Sequence, residues 1–396
     1  MKKIWLLCLF IFFCKADECE FLLQNKNTPV NKEILEAANK CQKSLANQKS
    51  TQALFKLANE IRGSNSACAG IHYLSNLQNF KLKLAKISIE KTNFEKRENL
   101  KALQDYFEYW AYQSVGNFKL YKDFYNEYEK AKAPLNAFFQ KELKLSSKDA
   151  KTYTENALNE FFLWAVGETK IFKSLSEIQR VVTRNSLSAL RNYIYANTPD
   201  STELSLALRA GLLNNVNLSI IKELLNFGAK IDEGYESALF YALFSLENTK
   251  FLLEQGANVN YANSFGKTPL FYAVEFNLKQ VSELLISKGA NVNAFYINKN
   301  EKLALSANVG DSTPYYITLC ALEHTSKNVL MHAASFSDTE ILKLLVAKGA
   351  DIKRVDDLGF NALDFALAAG KKENAQYLKS LGLKENENLF YEGSLE

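Results

Sequence analysis

Histidine is nearly absent from this 396-residue chain: His72, His324 and His332 are its only three, alongside two Met, three Trp and five Pro. So few imidazoles argue against a histidine-rich metal or catalytic centre. Gly-x-Ser-x-Gly, the P-loop, His-Glu-x-x-His and Gly-x-Gly-x-x-Gly are all missing, so the commonest hydrolase, nucleotide, zinc-protease and dinucleotide signatures have no residues to rest on. Closely spaced cysteines such as Cys-x-x-Cys are also missing, which favours structural bridges over redox catalysis. Cys68 and His72 stand four apart, a spacing that puts both on one helix face as a conceivable metal or haem ligand pair, unless Cys68 is in a disulfide.

What the N-terminus does have is a leader pattern. Lys2-Lys3 precede an apolar run from Ile4 to Phe13, and Cys14-Lys15-Ala16 places small residues at −3 and −1 of a cut before Asp17, which reads residues 1–16 as a secretory signal peptide. That run is too short to span a bilayer as a folded helix, and no later stretch approaches 18 apolar residues, so no stable membrane insertion is expected after cleavage. The cut removes Lys2, Lys3 and Lys15, leaving 45 basic against 44 acidic residues and a net charge of +1, a balance that gives no argument for nucleic acid as a partner. Abundant Lys, Asn, Leu, Phe and Ile with scarce Pro, Trp, His and Met fits an AT-rich bacterial genome, which makes the periplasm the expected compartment. Four cysteines remain after cleavage, with three possible pairings. The spacing of two helices about a turn at Gly63 to Ser66 favours a Cys41–Cys68 bridge, with Cys19 free or joined to Cys320. Such a bridge would stabilise by about 2–4 kcal/mol.

The last 200 residues repeat a phrase. Its clearest copy runs Gly266, Thr268, Pro269, Leu270, Phe271, Ala273, then Leu284, Leu285, Gly289, Ala290 and Asn293. Gly228, Gly256, Gly289 and Gly349 are separated by 28, 33 and 60 residues, and Gly382 follows 33 later. Thr268 can cap a first helix through its hydroxyl, and Pro269 fits the first helical position. Leu284 and Leu285 form the apolar face of a second helix, and Gly289 ends it in the left-handed conformation. A single helix pair of this kind cannot bury its own apolar face, so neighbours must stack. This chain segment resembles the ankyrin-repeat family, with five copies starting near Thr202, Ser237, Thr268, Asn328 and Asn361. The last two replace Thr-Pro with Asn328-Val329 and Asn361-Ala362, and the first has five extra residues, expected to widen its helix–helix loop over Leu212 to Asn217. The 60-residue step leaves a surplus over 294–324, read either as a looped-out finger or as a ruined sixth repeat around Gly310 to Leu322. Ahead of the repeats, apolar residues recur at three- and four-residue steps, as at Leu103, Phe107, Trp110 and Ala111, which predicts an all-α domain over 17–199. The Tyr- and Phe-rich stretch from Tyr106 to Phe139 fits a helix-bundle core better than a ligand groove. The expected organisation is therefore all-α: signal peptide 1–16, helical domain 17–199, ankyrin solenoid 200–387 and tail 388–396.

Signal peptide, helical segment and ankyrin array together resemble periplasmic ankyrin-repeat proteins of epsilonproteobacteria. That resemblance implies a non-catalytic protein-binding module, with a protein partner and no cofactor. The alternative is a periplasmic helper that delivers haem or a metal to a partner enzyme, or protects it. The ankyrin family's finger tips and first helices imply a recognition surface at Tyr261, Asn263, Phe265, Phe271, Glu275, Arg354, Asp356, Asp357, Phe360 and Asp364. Phe295 and Tyr296 in the insertion are residue types enriched at binding hot spots, though the rings could equally pack the insertion onto its neighbours. His332 falls one position after the family's usual His and reads as a structural or surface residue.

Overall fold

The computed structural model of the protein describes residues 97–142, 144–166, 173–263, 266–296, 326–357 and 359–386. The leader, Cys41, Cys68, Phe265 and nearly all of the insertion lie outside them. The described chain is mostly helical and divides into two compact units, one with the residues up to Tyr109 and Lys119–Ser174, the other with Trp110–Phe118 and everything from Leu175 onward.

The first unit is built from α1 (Arg97–Ala111), α2 (Val115–Glu142) and α3 (Ser147–Val166). The aromatic-rich stretch is core here. Phe107, Phe124, Phe138 and Phe139 are buried, and Phe107 meets the rings of Tyr121 and Phe124 edge-on, with centroids 5.3 and 5.8 Å apart. Tyr128 donates its hydroxyl to Asn159 Oδ1 at 2.9 Å, and burial pushes the phenol up to about 12.

The second unit is a stack of helix pairs. Two helices, α4 (Glu177–Thr183) and α5 (Leu187–Asn197), precede the repeats, and α4 packs on α6 (Ser201–Leu213). Five pairs follow: α6 with α7 (Leu218–Asn226), α8 (Ala238–Ala242) with α9 (Leu246–Glu254), and α10 (Pro269–Glu275) with α11 (Lys279–Ser287). Then come α12 (Val329–Phe336) with α13 (Thr339–Ala347), and α14 (Ala362–Ala368) with α15 (Lys372–Ser380). Every second helix ends at the glycine the period marks. Gly228, Gly256, Gly289, Gly349 and Gly382 all have φ between +87° and +103°, a region open to a residue without Cβ. The N–H after each glycine reaches back five residues, as Ala290 does to the Leu285 carbonyl at 3.0 Å, closing a Schellman turn.

Three details correct the sequence reading. Thr268 stands at the N-cap with Pro269 at N1, but its buried hydroxyl makes no bond among the described residues, and the Phe271 N–H goes to the Thr268 carbonyl at 3.0 Å instead. The last two copies, which lack Thr-Pro, do have side-chain caps: Asn328 Oδ1 accepts from the Met331 N–H at 2.9 Å, and Asn361 with Asp364 forms a capping box. The first copy does not widen its loop over Leu212 to Asn217, since α6 runs through Leu213. Its surplus lengthens the helix, 13 residues against 7 in α10. Leu285 is fully buried, while Leu284 is only half-buried.

The third and fourth copies meet at a seam like the one before it. Asn260 joins copies two and three, donating to the Gly289 carbonyl at 3.0 Å and accepting from the Asn291 N–H at 2.8 Å. Asn293 makes the same two bonds across the next seam, to the Gly349 carbonyl at 3.0 Å and from the Asp351 N–H at 2.8 Å. Helix α10 packs directly on α12, so no repeat lies between them. The insertion leaves and re-enters through a two-residue antiparallel pair, β1 (Phe295–Tyr296) with β2 (Lys327–Asn328), which closes its neck.

Candidate interaction surface

The first helices of copies one to three are covered by the chain itself. The turn from α1 into α2 lays Trp110–Phe118 across them, within the same compact unit. Asn214 Nδ2, at the end of α6, donates to the Tyr112 hydroxyl at 2.7 Å. Tyr241 on α8 donates its hydroxyl to the Gln113 carbonyl at 3.1 Å. Glu236, just ahead of α8, accepts the Val115 N–H on Oε2 at 2.8 Å. Gly116 lies against Tyr272 of α10. The turn is shaped from within: Asn117 donates to the Trp110 carbonyl, its own N–H is capped by Ser114 Oγ, and the Tyr112 ring meets Phe118 edge-on.

A line of charge continues beyond this turn into copies three and four. Glu236 is 0% exposed, and its burial pushes its carboxyl above the usual range even though the Val115 N–H, the Tyr272 hydroxyl and Asn263 all bond to it. Lys267 ion-pairs with Glu275 at 2.8 Å, with its ammonium over the rings of Tyr272 (4.6 Å) and Tyr296 (5.1 Å). Burial pulls Lys267 down, but Glu275 beside it more than offsets this and holds the ammonium above its ordinary value. Burial opposes ionisation of Glu275 as well, yet Lys267 and His332 overcome it and depress its carboxyl well below the usual range. His332 Nε2 bonds Glu275 Oε2 at 2.8 Å while Nδ1 is buried and accepts nothing among the described residues. A second proton on that ring would therefore be an unpaired buried N–H. Burial, with Lys267 nearby, lowers the imidazole to about 4.

The residues expected on the recognition surface separate into three groups. Tyr261, Glu275, Phe295, Tyr296 and Phe360 are half-buried, and Arg354 and Asp357 are exposed. The Arg354 guanidinium lies 4.7 Å above the Phe295 ring, and Asp357 accepts the Ser326 N–H at 3.0 Å. The second group is structural and corrects the expectation. Phe271 is 0% exposed, because Tyr296 of the insertion's neck and His332 of the fourth copy close over its ring. Asn263 and Asp356 are buried clamps of the finger turns, each accepting an N–H four residues on, from Lys267 at 3.1 Å and Phe360 at 2.8 Å. Asp364 is buried as well, held by the Asn361 and Asn386 N–H groups. Phe265 and the Cys41–Cys68 pairing lie outside the described residues.

Residues 204–296 match the family description "Ankyrin repeats (3 copies)" and residues 330–378 match "Ankyrin repeats (many copies)". These segments are ankyrin repeats. The break between the two matches falls on the insertion. An ankyrin repeat protein of Acanthamoeba polyphaga mimivirus is 25% identical over 248 residues, covering 56% of this chain and 32% of its own length. A Caenorhabditis elegans homolog of transient receptor potential cation channel subfamily A member 1 is 27% identical over 162 residues, 39% of this chain and 11% of that one. The human ankyrin repeat and SOCS box protein 6 is 32% identical over 148 residues, 32% of this chain and 35% of its own. The chain therefore spans about a third or less of the curated relatives it matches. Among solved structures, a chain from the complex of a Bdellovibrio bacteriovorus predatory endopeptidase with its immunity protein has a TM-score of 0.38 at 22% identity, covering 52% of this chain and 99% of that one.

Two parts of this surface were missed in the sequence. Trp110–Phe118 follows no repeat and carries no motif, and its role comes from contacts 100 residues or more away. Lys267 and His332 were readable only as a residue before a helix and a displaced histidine. Stacking of copies three and four brings both onto Glu275.

Proposed function

We propose that this ankyrin protein is a non-catalytic protein-binding module of the periplasm, released there by cleavage after Ala16. Its partner engages the finger side of copies three to five. Ankyrin repeats are protein-interaction modules, and the observation that carries the reading is which part of the array is left uncovered among the described residues. Trp110–Phe118 lies over copies one to three, whereas farther along the described residues present Arg354 stacked on Phe295, with Phe336 45% exposed. Arginine and large aromatics at a half-wet surface are the residues that most often dominate binding energy.

The test is affinity capture from a periplasmic extract with the wild-type protein and with Arg354→Ala combined with Phe336→Ala. A partner held by the wild type should be lost from the double variant at an unchanged melting temperature. Equal recovery by both would overturn the assignment of this surface.

A further inference from the structure

The nine residues Trp110–Phe118 belong to the array's compact unit, while Tyr109 before them and Lys119 after them belong to the other. Two successive repeats supply polar groups to this turn, Asn214 of the first to the Tyr112 hydroxyl and, from the second, Tyr241 to the Gln113 carbonyl and Glu236 to the Val115 N–H, while the third sets the Tyr272 ring against Gly116. Val115 is the first residue of α2, so its N–H is one of the unpaired donors at that helix's N-terminus, and a carboxylate is the group that complements it. Glu236 has a geometry made for this. Oε1 is held by Asn263 and the carboxylate by the Tyr272 hydroxyl, leaving Oε2 to meet the incoming N–H. Burying a carboxylate completely is costly, and a core position that only had to fill space would be better served by an apolar residue. The fit is also steric, since a Cβ at Gly116 would come within 3.3 Å of Tyr272 Cε1.

We propose that the inner face of copies one to three is a binding site for a serine-capped helix N-terminus preceded by an aromatic turn. Trp110–Phe118 is its built-in ligand, which a partner segment of the same chemistry must displace. This rests on the protein-binding reading above but concerns a different part of the array, so the loss of capture at Arg354 and Phe336 neither supports nor weakens it.

The full-length protein tests it through Val115→Pro. Proline is well tolerated at the first position of a helix, so the substitution removes the N–H that Glu236 reads and leaves α2 its start. Val115→Ala, which keeps the N–H, is the control. In hydrogen–deuterium exchange, V115P should raise exchange over residues 110–118 by about tenfold or more against the control, with array amides unchanged. A fluorescein-labelled peptide of residues 109–124 should then bind V115P at least about tenfold tighter than the wild type, and adding Glu236→Ala should abolish that binding. If V115P does not fold, Tyr241→Phe, which removes the donor to Gln113, should give the same selective exchange. Exchange in 110–118 equal to the control, or peptide binding indifferent to Glu236, would overturn the proposal.

Discussion

Asn263 and Asp356 show how the same residue types that mark recognition can instead hold the scaffold. Both sit in a finger turn, and in both the side-chain oxygen takes the N–H four residues on while their own N–H bonds that residue's carbonyl. Position in the repeat was legible from the period, but burial was not, because it depends on what the next repeat and the insertion's neck place over each side chain. Phe271 makes the point most sharply. The family's pattern puts it on the recognition helix, whereas Tyr296 and His332, brought in by the neck and the fourth copy, close over its ring. Phe271→Ala is therefore expected to act on stability, costing about 3–5 kcal/mol. Leu285→Ala, at another fully buried site, should cost about 2–5 kcal/mol, and Leu284→Ala, half-buried, clearly less. Urea unfolding of the three variants checks the ranking, and a Phe271→Ala protein as stable as the wild type would return that residue to the surface.

At the level of elements, the second helices and their glycine stops were the most legible, since a left-handed C′ residue followed by a back-bonded N–H has few sequence solutions. First-helix starts were less so. Thr268 and Pro269 look like the strongest cap in the chain, yet the side-chain caps belong to Asn328, Asn361 and Asp200, the last of which starts the lengthened α6. The insertion was legible as a surplus of length; that copies three and four join as copies two and three do comes from Asn293 repeating the bonds of Asn260. The seam's other bonds likewise run from copy to copy, with Asn277 Oδ1 accepting the Asp338 N–H at 2.9 Å and Ser337 donating to the Val274 carbonyl. Because none of these draws on residues 298–325, replacing that stretch with a short Gly-Ser turn between the paired strands should leave the melting temperature within a few degrees of the wild type. A fall of more than about 10 °C by calorimetry would mean that the insertion is part of the stack.

Across the whole molecule, the line Glu236, Lys267, Glu275 and His332 couples the stability of the array to pH, and the signs differ along it. His332 titrates near 4 in the fold and near 6.5 when unfolded, so the unfolded chain binds more protons between these values. Its neutral, buried state stabilises the fold fully above about pH 6.5, and that contribution is lost as pH falls toward 4. The groups facing the ring are Glu275 and Lys267 from the third copy, Tyr296 on β1 and Lys327 on β2. Glu275, with its carboxyl depressed, adds a second loss that begins as pH falls through the ordinary carboxylate range and continues below it. Glu236, raised by burial, acts in the opposite direction, since its protonated form is favoured in the fold and acidification relieves the cost of burying its charge. Between pH 7 and pH 4.5 the His332 contribution should dominate, at about 2 kcal/mol lost. Because the ring lies at the seam of copies three and four, the loss should open that seam first. His332→Gln removes the titrating group, so its unfolding free energy should be lower at pH 7 but nearly flat down to pH 4.5, where the two proteins converge. Denaturant unfolding of both at pH 7, 6, 5 and 4.5 gives the comparison, and parallel pH profiles would mean that His332 is protonated alike in the folded and unfolded chains.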